Sequence, residues 1–155
     1  HIIHPIKFKT MATTNTYLTF NCNCEEAFNF YKSVFGGDFT YMGRFGEMPQ
    51  DENYTVPEED KSKVMHVSLP IGQSILMGSD CGAEWAPSHV PGNNFSVSIS
   101  ADSKDEADRI FNGLSADGKV GMPLNNTFWG DYFGMLTDKY GVNWMMSYNE
   151  QQQNK

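Results

Sequence analysis

Few side chains in this sequence can move a proton or hold a ligand, and they are widely spaced. His66 lies in "VMHVSL" between apolar neighbours. Imidazole titrates near neutrality, so an inward-facing His66 is a candidate general base. The competing reading is a hydrogen-bonded structural histidine. Its alternation partners are Val64 and Ser68, whereas Met65, Val67 and Leu69 make the other, plainly apolar face. The stretch "FWGDYFGMLTDKYGVNWMMS", residues 128–147, supplies the second group of candidates. Trp129, at a Gly130 turn, has an indole that can stack on a flat ligand or pack into the core. Asp131 beside it is the better catalytic carboxylate. Asp138 in "TDKYGVN" is expected to serve its own turn, and Asp80 to close a strand as a turn residue. Trp144 is read as core, and His89 as solvated. Cys22, Cys24 and Cys81 are odd in number, which suits a reducing compartment better than a disulfide framework. Cys22-Asn23-Cys24 lacks the second pair that a zinc site needs and reads as thiols at a strand–helix turn. No Ser/His/Asp nucleophile set, Walker loop or dinucleotide fingerprint occurs.

The elements that must position these residues repeat. Residues 17–20 alternate as a half-buried strand. Asn23 and Glu26 then match a capping box, and Ala27, Phe28, Tyr31, Val34 and Phe35 recur at helical spacing up to Gly36-Gly37. In residues 94–119 the pattern returns. Phe95, Val97 and Ile99 alternate, Ser103 and Glu106 form the box, Ala107, Ile110, Phe111 and Leu114 line a helix, and Asp117-Gly118 turns out of it. "VMHVSLPIGQSILMGSD" and "FGMLTDKYGVNWMMSY" each read as strand, glycine turn, strand, at Gly72 and Gly141. Each half is therefore strand–helix–three strands, and neither half alone buries both faces. The division is a leader or upstream remnant at 1–10, carrying His1 and His4. A first βαβββ module follows at 11–80, a linker at 81–91, a second module at 92–149 and a polar tail at 150–155. Residues 46–63, with six acids and two prolines, read as a solvated loop and a possible lid. The glycines are expected to mark turns and close strand contacts.

At 155 residues, 39% hydrophobic and 14% aromatic, the chain suits one folded domain. Its net charge of -8 repels phosphate backbones, so no nucleic-acid partner is expected. No apolar run approaches a membrane span and no signal peptide is visible, so a cytoplasmic location is expected.

"NCEEAFNFYKSVFGG", "MHVSLPIG", "ILMGSD" and "FWGDYFGMLTDKYGVNWM" resemble the PhnB-like branch of the vicinal oxygen chelate superfamily, which includes glyoxalases, bleomycin-binding proteins and extradiol dioxygenases. The resemblance covers about residues 15–147. It implies an α+β fold of two βαβββ repeats forming a curled mixed sheet around a cleft, and a homodimer. Some family members carry a demethylubiquinone methyltransferase label, but no glycine-rich strand–helix turn for an adenosyl cofactor is present here. The superfamily's enzymes hold a divalent metal on the first and last strands of each half. The corresponding positions are Thr16, Leu76 or Met77, Asn94 and Met145, none able to offer imidazole or carboxylate. The expectation is a metal-free, cofactor-free protein that binds a small hydrophobic or aromatic molecule through His66, Met77, Trp129, Phe133 and Met145. The alternative is a metal-dependent lyase or dioxygenase using His66 and Asp131 in an atypical ligand set. A third reading is a cleft filled by the chain's own aromatics.

Overall fold

The computed structural model describes residues 8–49 and 51–151. Most of the expected leader, including His1 and His4, and the end of the polar tail lie outside the described residues. The first module consists of β1 (Thr16–Phe20), α1 (Cys24–Phe35), β2 (Tyr41–Arg44), β3 (Val64–Ile71) and β4 (Ser74–Asp80). The second consists of β5 (Val97–Ser100), α2 (Lys104–Ser115), β6 (Lys119–Asn126), β7 (Tyr132–Thr137) and β8 (Asn143–Tyr148). Each builds a four-stranded mixed sheet of the same order, β1-β4-β3-β2 and β5-β8-β7-β6. In each, the first strand runs parallel to the last and the remaining pairs are antiparallel. The two βαβββ repeats read from the sequence are these modules, and the sheets remain open.

Strand alternation gives each sheet one face under a helix. Leu18, Phe20, Val67, Leu69 and Leu76 are buried beneath α1, with its Ala27, Phe28 and Tyr31. Leu136, Trp144 and Met146 are buried with Ala107, Phe111 and Leu114 of α2. These side chains form one core. Gly78 lets α1 approach its sheet, since a Cβ there would lie 2.6 Å from the Phe28 ring. Trp144 is 1% exposed, so truncating it to alanine should cost about 3–5 kcal/mol.

The modules are joined on this helix side. The Tyr31 ring lies 5.3 Å from Trp144, and the Tyr31 hydroxyl donates to Asp138 Oδ2 at 2.7 Å. Asp138 also accepts from Trp144 Nε1 at 2.8 Å and from the backbone N–H groups of Tyr140 and Val142. Burial, then the Asp138 charge and hydrogen bond, push the Tyr31 phenol well above its ordinary pKa, so it stays a donor. Arg109 adds a second tie by donating to the Val34 carbonyl at 2.8 Å.

Several local expectations need correction. Asn23 sits at the start of α1 without a side-chain capping bond. Asp80 does that work: it is buried and accepts from the Cys24 N–H and the Val64 N–H, both at 2.9 Å. A carboxylate with two charge-assisted bonds satisfies the helix start better than a single amide oxygen. In α2, Ser103 does cap, accepting from Glu106 N at 3.0 Å, but the Glu106 carboxylate reaches the Asp102 N–H rather than that of Ser103. The Asp117-Gly118 turn after α2 stands where expected, with Asp117 in the left-handed region at a φ of 59°. Phe95 is exposed and precedes β5. The 46–63 segment is not simply solvated: Val56 and Asp60 are buried, and Asp60 pairs with Lys63 at 2.7 Å.

Candidate functional site

The face of each sheet opposite its helix carries no layer from the same module, and the candidate residues lie on these open faces. In the first sheet, Tyr17 pairs with Met77, Met77 with Ser68, and Ser68 with Tyr41. These four residues form a row crossing all four strands. His66 stands on the same face, two residues before Ser68. A bulge between Gly43 and Arg44 turns Val64 to the buried face, so His66 shares its face with Ser68 but not with Val64. Gly43, opposite His66, leaves space for the Tyr41 ring; a Cβ there would collide with the phenol.

The ring of His66 is held from several sides. Tyr17 lies 5.6 Å away and Tyr41 5.9 Å away, centroid to centroid. The Tyr17 hydroxyl is 3.2 Å from His66 Nδ1, and Ser68 Oγ is 3.0 Å from Nε2. A neutral imidazole satisfies both by accepting from Tyr17 at Nδ1 and donating to Ser68 at Nε2. Tyr17 and Tyr41 are 46% and 49% exposed, so the cluster is ordered by its own contacts and still open to a ligand. Sequence reasoning chose His66 and Met77 and placed Ser68 on the face of His66, but missed Tyr17 and Tyr41.

The other three expected ligand residues belong to the second sheet. Met145 pairs with Met135 and Ser98, and Met135 with Met122, making a row equivalent to that of the first sheet. Phe133 is one alternation along β7 and lies 6.0 Å from the Trp129 ring. Trp129 is 51% exposed in the β6–β7 loop, which removes it from the core. Its Nε1 donates to Asp131 Oδ2 at 3.0 Å, and Asn149 Nδ2 donates to Asp131 Oδ1 at 2.7 Å. Both oxygens of Asp131 are therefore engaged in holding the loop. His66 and Met77 thus stand on one sheet, and Trp129, Asp131, Phe133 and Met145 on the other. Two grooves follow the seam between the modules. One, of about 1040 Å³, runs from Thr16 to Ile71, Val97 and Arg109; the other, of about 630 Å³, runs from Phe20 to Pro91 and Val142. Neither is lined by any of the expected ligand residues.

The residues at the superfamily's metal positions do not fit a metal. Thr16 begins β1, Leu76 and Met77 lie in β4, Asn94 precedes β5, and Met145 lies in β8. Thr16 pairs with the buried Leu76, and Met145 with Ser98 and Met135, so these positions offer no imidazole or carboxylate to a hard or borderline cation. Among the described residues, no three His, Cys, Asp or Glu side chains converge on a point that could hold an ion. No helix of the described residues is long and apolar enough to cross a membrane.

Comparison with known proteins agrees with this architecture. Residues 12–147 match the family described as 3-demethylubiquinone-9 3-methyltransferase. Protein YjdN of Escherichia coli K12 is 33% identical over 142 residues, covering 88% of this chain and 95% of that protein. The structure of PA1353 from Pseudomonas aeruginosa is 40% identical with a TM-score of 0.75, covering 89% of this chain and 98% of that one. A Bacillus cereus structure described as a putative 3-demethylubiquinone-9 3-methyltransferase, PhnB protein, is 28% identical with a TM-score of 0.65, covering 88% and 99%. At the level of fold alone, a glyoxalase/bleomycin resistance protein/dioxygenase family enzyme from Burkholderia phytofirmans aligns at 15% identity and a TM-score of 0.56, over 86% and 96%. The chain belongs to the PhnB-like family described as 3-demethylubiquinone-9 3-methyltransferase, with the fold of the glyoxalase/bleomycin resistance superfamily.

Proposed function

We propose that this PhnB-like chain is a metal-free small-molecule-binding protein, and that a flat hydrophobic or aromatic ligand lies on the open face of the first sheet. The observation that carries the reading is the His66 cluster. An imidazole bonded at both nitrogens, between two half-exposed tyrosine rings on the face that also carries Met77, offers π faces, a soft thioether and polar atoms together. Such a surface orients a ring carrying one or two polar substituents. The family description names a methyltransferase, yet the β1–α1 turn Asn21-Cys22-Asn23 offers no glycine-rich approach for an adenosyl cofactor.

The reading includes a homodimer in which a second copy covers part of the open faces. Tyr17, Tyr41, Ile75, Met122 and Trp129 are large, exposed side chains with apolar surface of the kind that a subunit contact covers. Such a contact could bring Trp129, Phe133 and Met145 of one copy towards His66 and Met77 of the other. The protein works in the cytoplasm, without nucleic-acid or membrane partners.

Anilinonaphthalene sulfonate serves as a flat aromatic probe. It should bind the wild-type chain saturably, and His66→Ala and Tyr17→Ala should each weaken binding about tenfold with melting unchanged. Unaltered binding in both variants would reject the site. Light scattering should give twice the chain mass at tens of micromolar, and elemental analysis should find no stoichiometric Zn, Ni, Mn or Fe.

A further inference from the structure

The two hydroxyls around His66 are not interchangeable, because the imidazole fixes what each can offer a ligand. Tyr17 Oη lies 3.2 Å from Nδ1, and Ser68 Oγ lies 3.0 Å from Nε2. A neutral imidazole has one N–H and one bare nitrogen, so one hydroxyl must donate to the ring and the other must accept from it. Each hydroxyl has a single hydrogen. The one that donates to the ring keeps only oxygen lone pairs for a ligand, and the one that accepts keeps its O–H. A phenol is the stronger donor and an aliphatic hydroxyl the better acceptor, which sets Tyr17 to donate at Nδ1 and Ser68 to accept at Nε2. Among the described residues neither hydroxyl makes another hydrogen bond. The sheet holds both in place. Tyr17 is paired to β4, and Ser68 lies in the inner strand β3, with its carbonyl accepting the Thr40 N–H at 3.0 Å. His66 and Ser68 are partly exposed and Tyr17 is half exposed, so a ring laid over the imidazole reaches both oxygens. The two nitrogens point apart, and the hydroxyls therefore stand at opposite ends of the imidazole, a span that suits a benzene ring with para substituents.

We propose that the Tyr17–His66–Ser68 chain selects a neutral para-substituted aromatic molecule with one hydrogen-bond donor, received by the Tyr17 oxygen, and one acceptor, received by the Ser68 O–H. This rests on the ligand site proposed above and adds the polarity of what enters it. Tyr17 and Ser68 determine the specificity, and His66 is the positioning residue that keeps their roles opposite. A molecule with two acceptors finds one free O–H. Were the imidazole to change tautomer, Tyr17 would recover its hydrogen for the ligand and Ser68 would give up its own to Nε2. Either tautomer leaves one hydroxyl to donate and one to accept, so the second acceptor of such a ligand stays unpaired and is disfavoured.

The test titrates the full chain with four probes of similar shape, para-hydroxyacetophenone, para-cresol, para-methylacetophenone and para-diacetylbenzene, while NMR follows the ring signals of His66. In the wild type, para-hydroxyacetophenone should bind about tenfold tighter than each of the others. Ser68→Ala should erase its advantage over para-cresol and keep that over para-methylacetophenone; Tyr17→Phe should do the reverse. Ser68→Thr, which retains a hydroxyl, should keep the wild-type order. His66→Phe frees both hydroxyls to donate, so para-diacetylbenzene should come within about twofold of para-hydroxyacetophenone. Thermal melts confirm that folded chains are compared. Equal affinity of all four probes at His66 would overturn the selection and leave the ligand site standing. Exchanged effects of Ser68→Ala and Tyr17→Phe would overturn the assignment of donor and acceptor, and an unchanged order in folded His66→Phe would overturn the role of the imidazole. Probes that leave the His66 signals unmoved would overturn the selection together with the site.

Discussion

The two modules share a strand order and differ in what they place at equivalent positions on the open face. In the first, the row across four strands is Tyr17, Met77, Ser68, Tyr41; in the second it is Ser98, Met145, Met135, Met122. The first row has hydroxyls and rings fixed around an imidazole. The second is mostly thioether, a soft surface that adapts to whatever covers it. The same backbone thus presents one face suited to orienting a ligand and one suited to packing. The buried carboxylates differ in parallel. Asp80 serves its own module, tying the start of α1 to the start of β3. Asp138 serves both, receiving Tyr31 from the first module and Trp144 from the second.

The largest way to sharpen this contrast is Asp138→Ala. It would leave the Tyr31 hydroxyl, the Trp144 indole N–H and two backbone N–H groups without their acceptor at a buried point. A loss of about 3–5 kcal/mol is expected in urea unfolding. Asp80→Ala removes two such bonds, so about 2–3 kcal/mol is expected by the same measurement. Equal losses would mean that the inter-module tie contributes nothing beyond its local bonds.

On the open faces the contrast is one of binding rather than stability. His66→Ala is expected to weaken the aromatic probe about tenfold, or roughly 1.4 kcal/mol, with stability within about 1 kcal/mol. Met145→Leu, a swap of similar volume, should change binding by less than about threefold. Titration of both variants by probe fluorescence checks the pair, and a reversed order would assign ligand contact to the second module.

The smallest effects concern the helix starts. Ser103→Ala should cost about 1 kcal/mol, since the hydroxyl caps Glu106 N. Asn23→Ala should cost close to nothing, because Asp80 already satisfies that end of α1. Chemical unfolding of the two variants side by side resolves the difference.

Much of the fold was legible because it is local. Helical spacing marked α1 and α2, glycines marked the hairpins at Gly72 and Gly141, and alternation marked Trp144 as core. The duplication followed from placing those signals side by side. Asp80 was misread because its donors, Cys24 and Val64, are 56 and 16 residues away. The turn role of Asp138 was visible in "TDKYGVN", but its bond to Tyr31 spans 107 residues. His66 was found by residue type, yet its two ring neighbours were not, since strand order and not sequence brings Tyr17 and Tyr41 beside it. The bulge that turns Val64 away from His66 left no mark in the pattern.

The central claim is that the open face of the first sheet receives the ligand. Two-dimensional NMR of the labelled chain during titration with anilinonaphthalene sulfonate tests it most directly. The account expects the largest shifts at the His66 ring, the Met77 methyl and the Tyr17 ring, saturating together. Shifts concentrated instead at Ile71, Val97, Ile99 and Ile110, which line the larger groove between the modules, would contradict it.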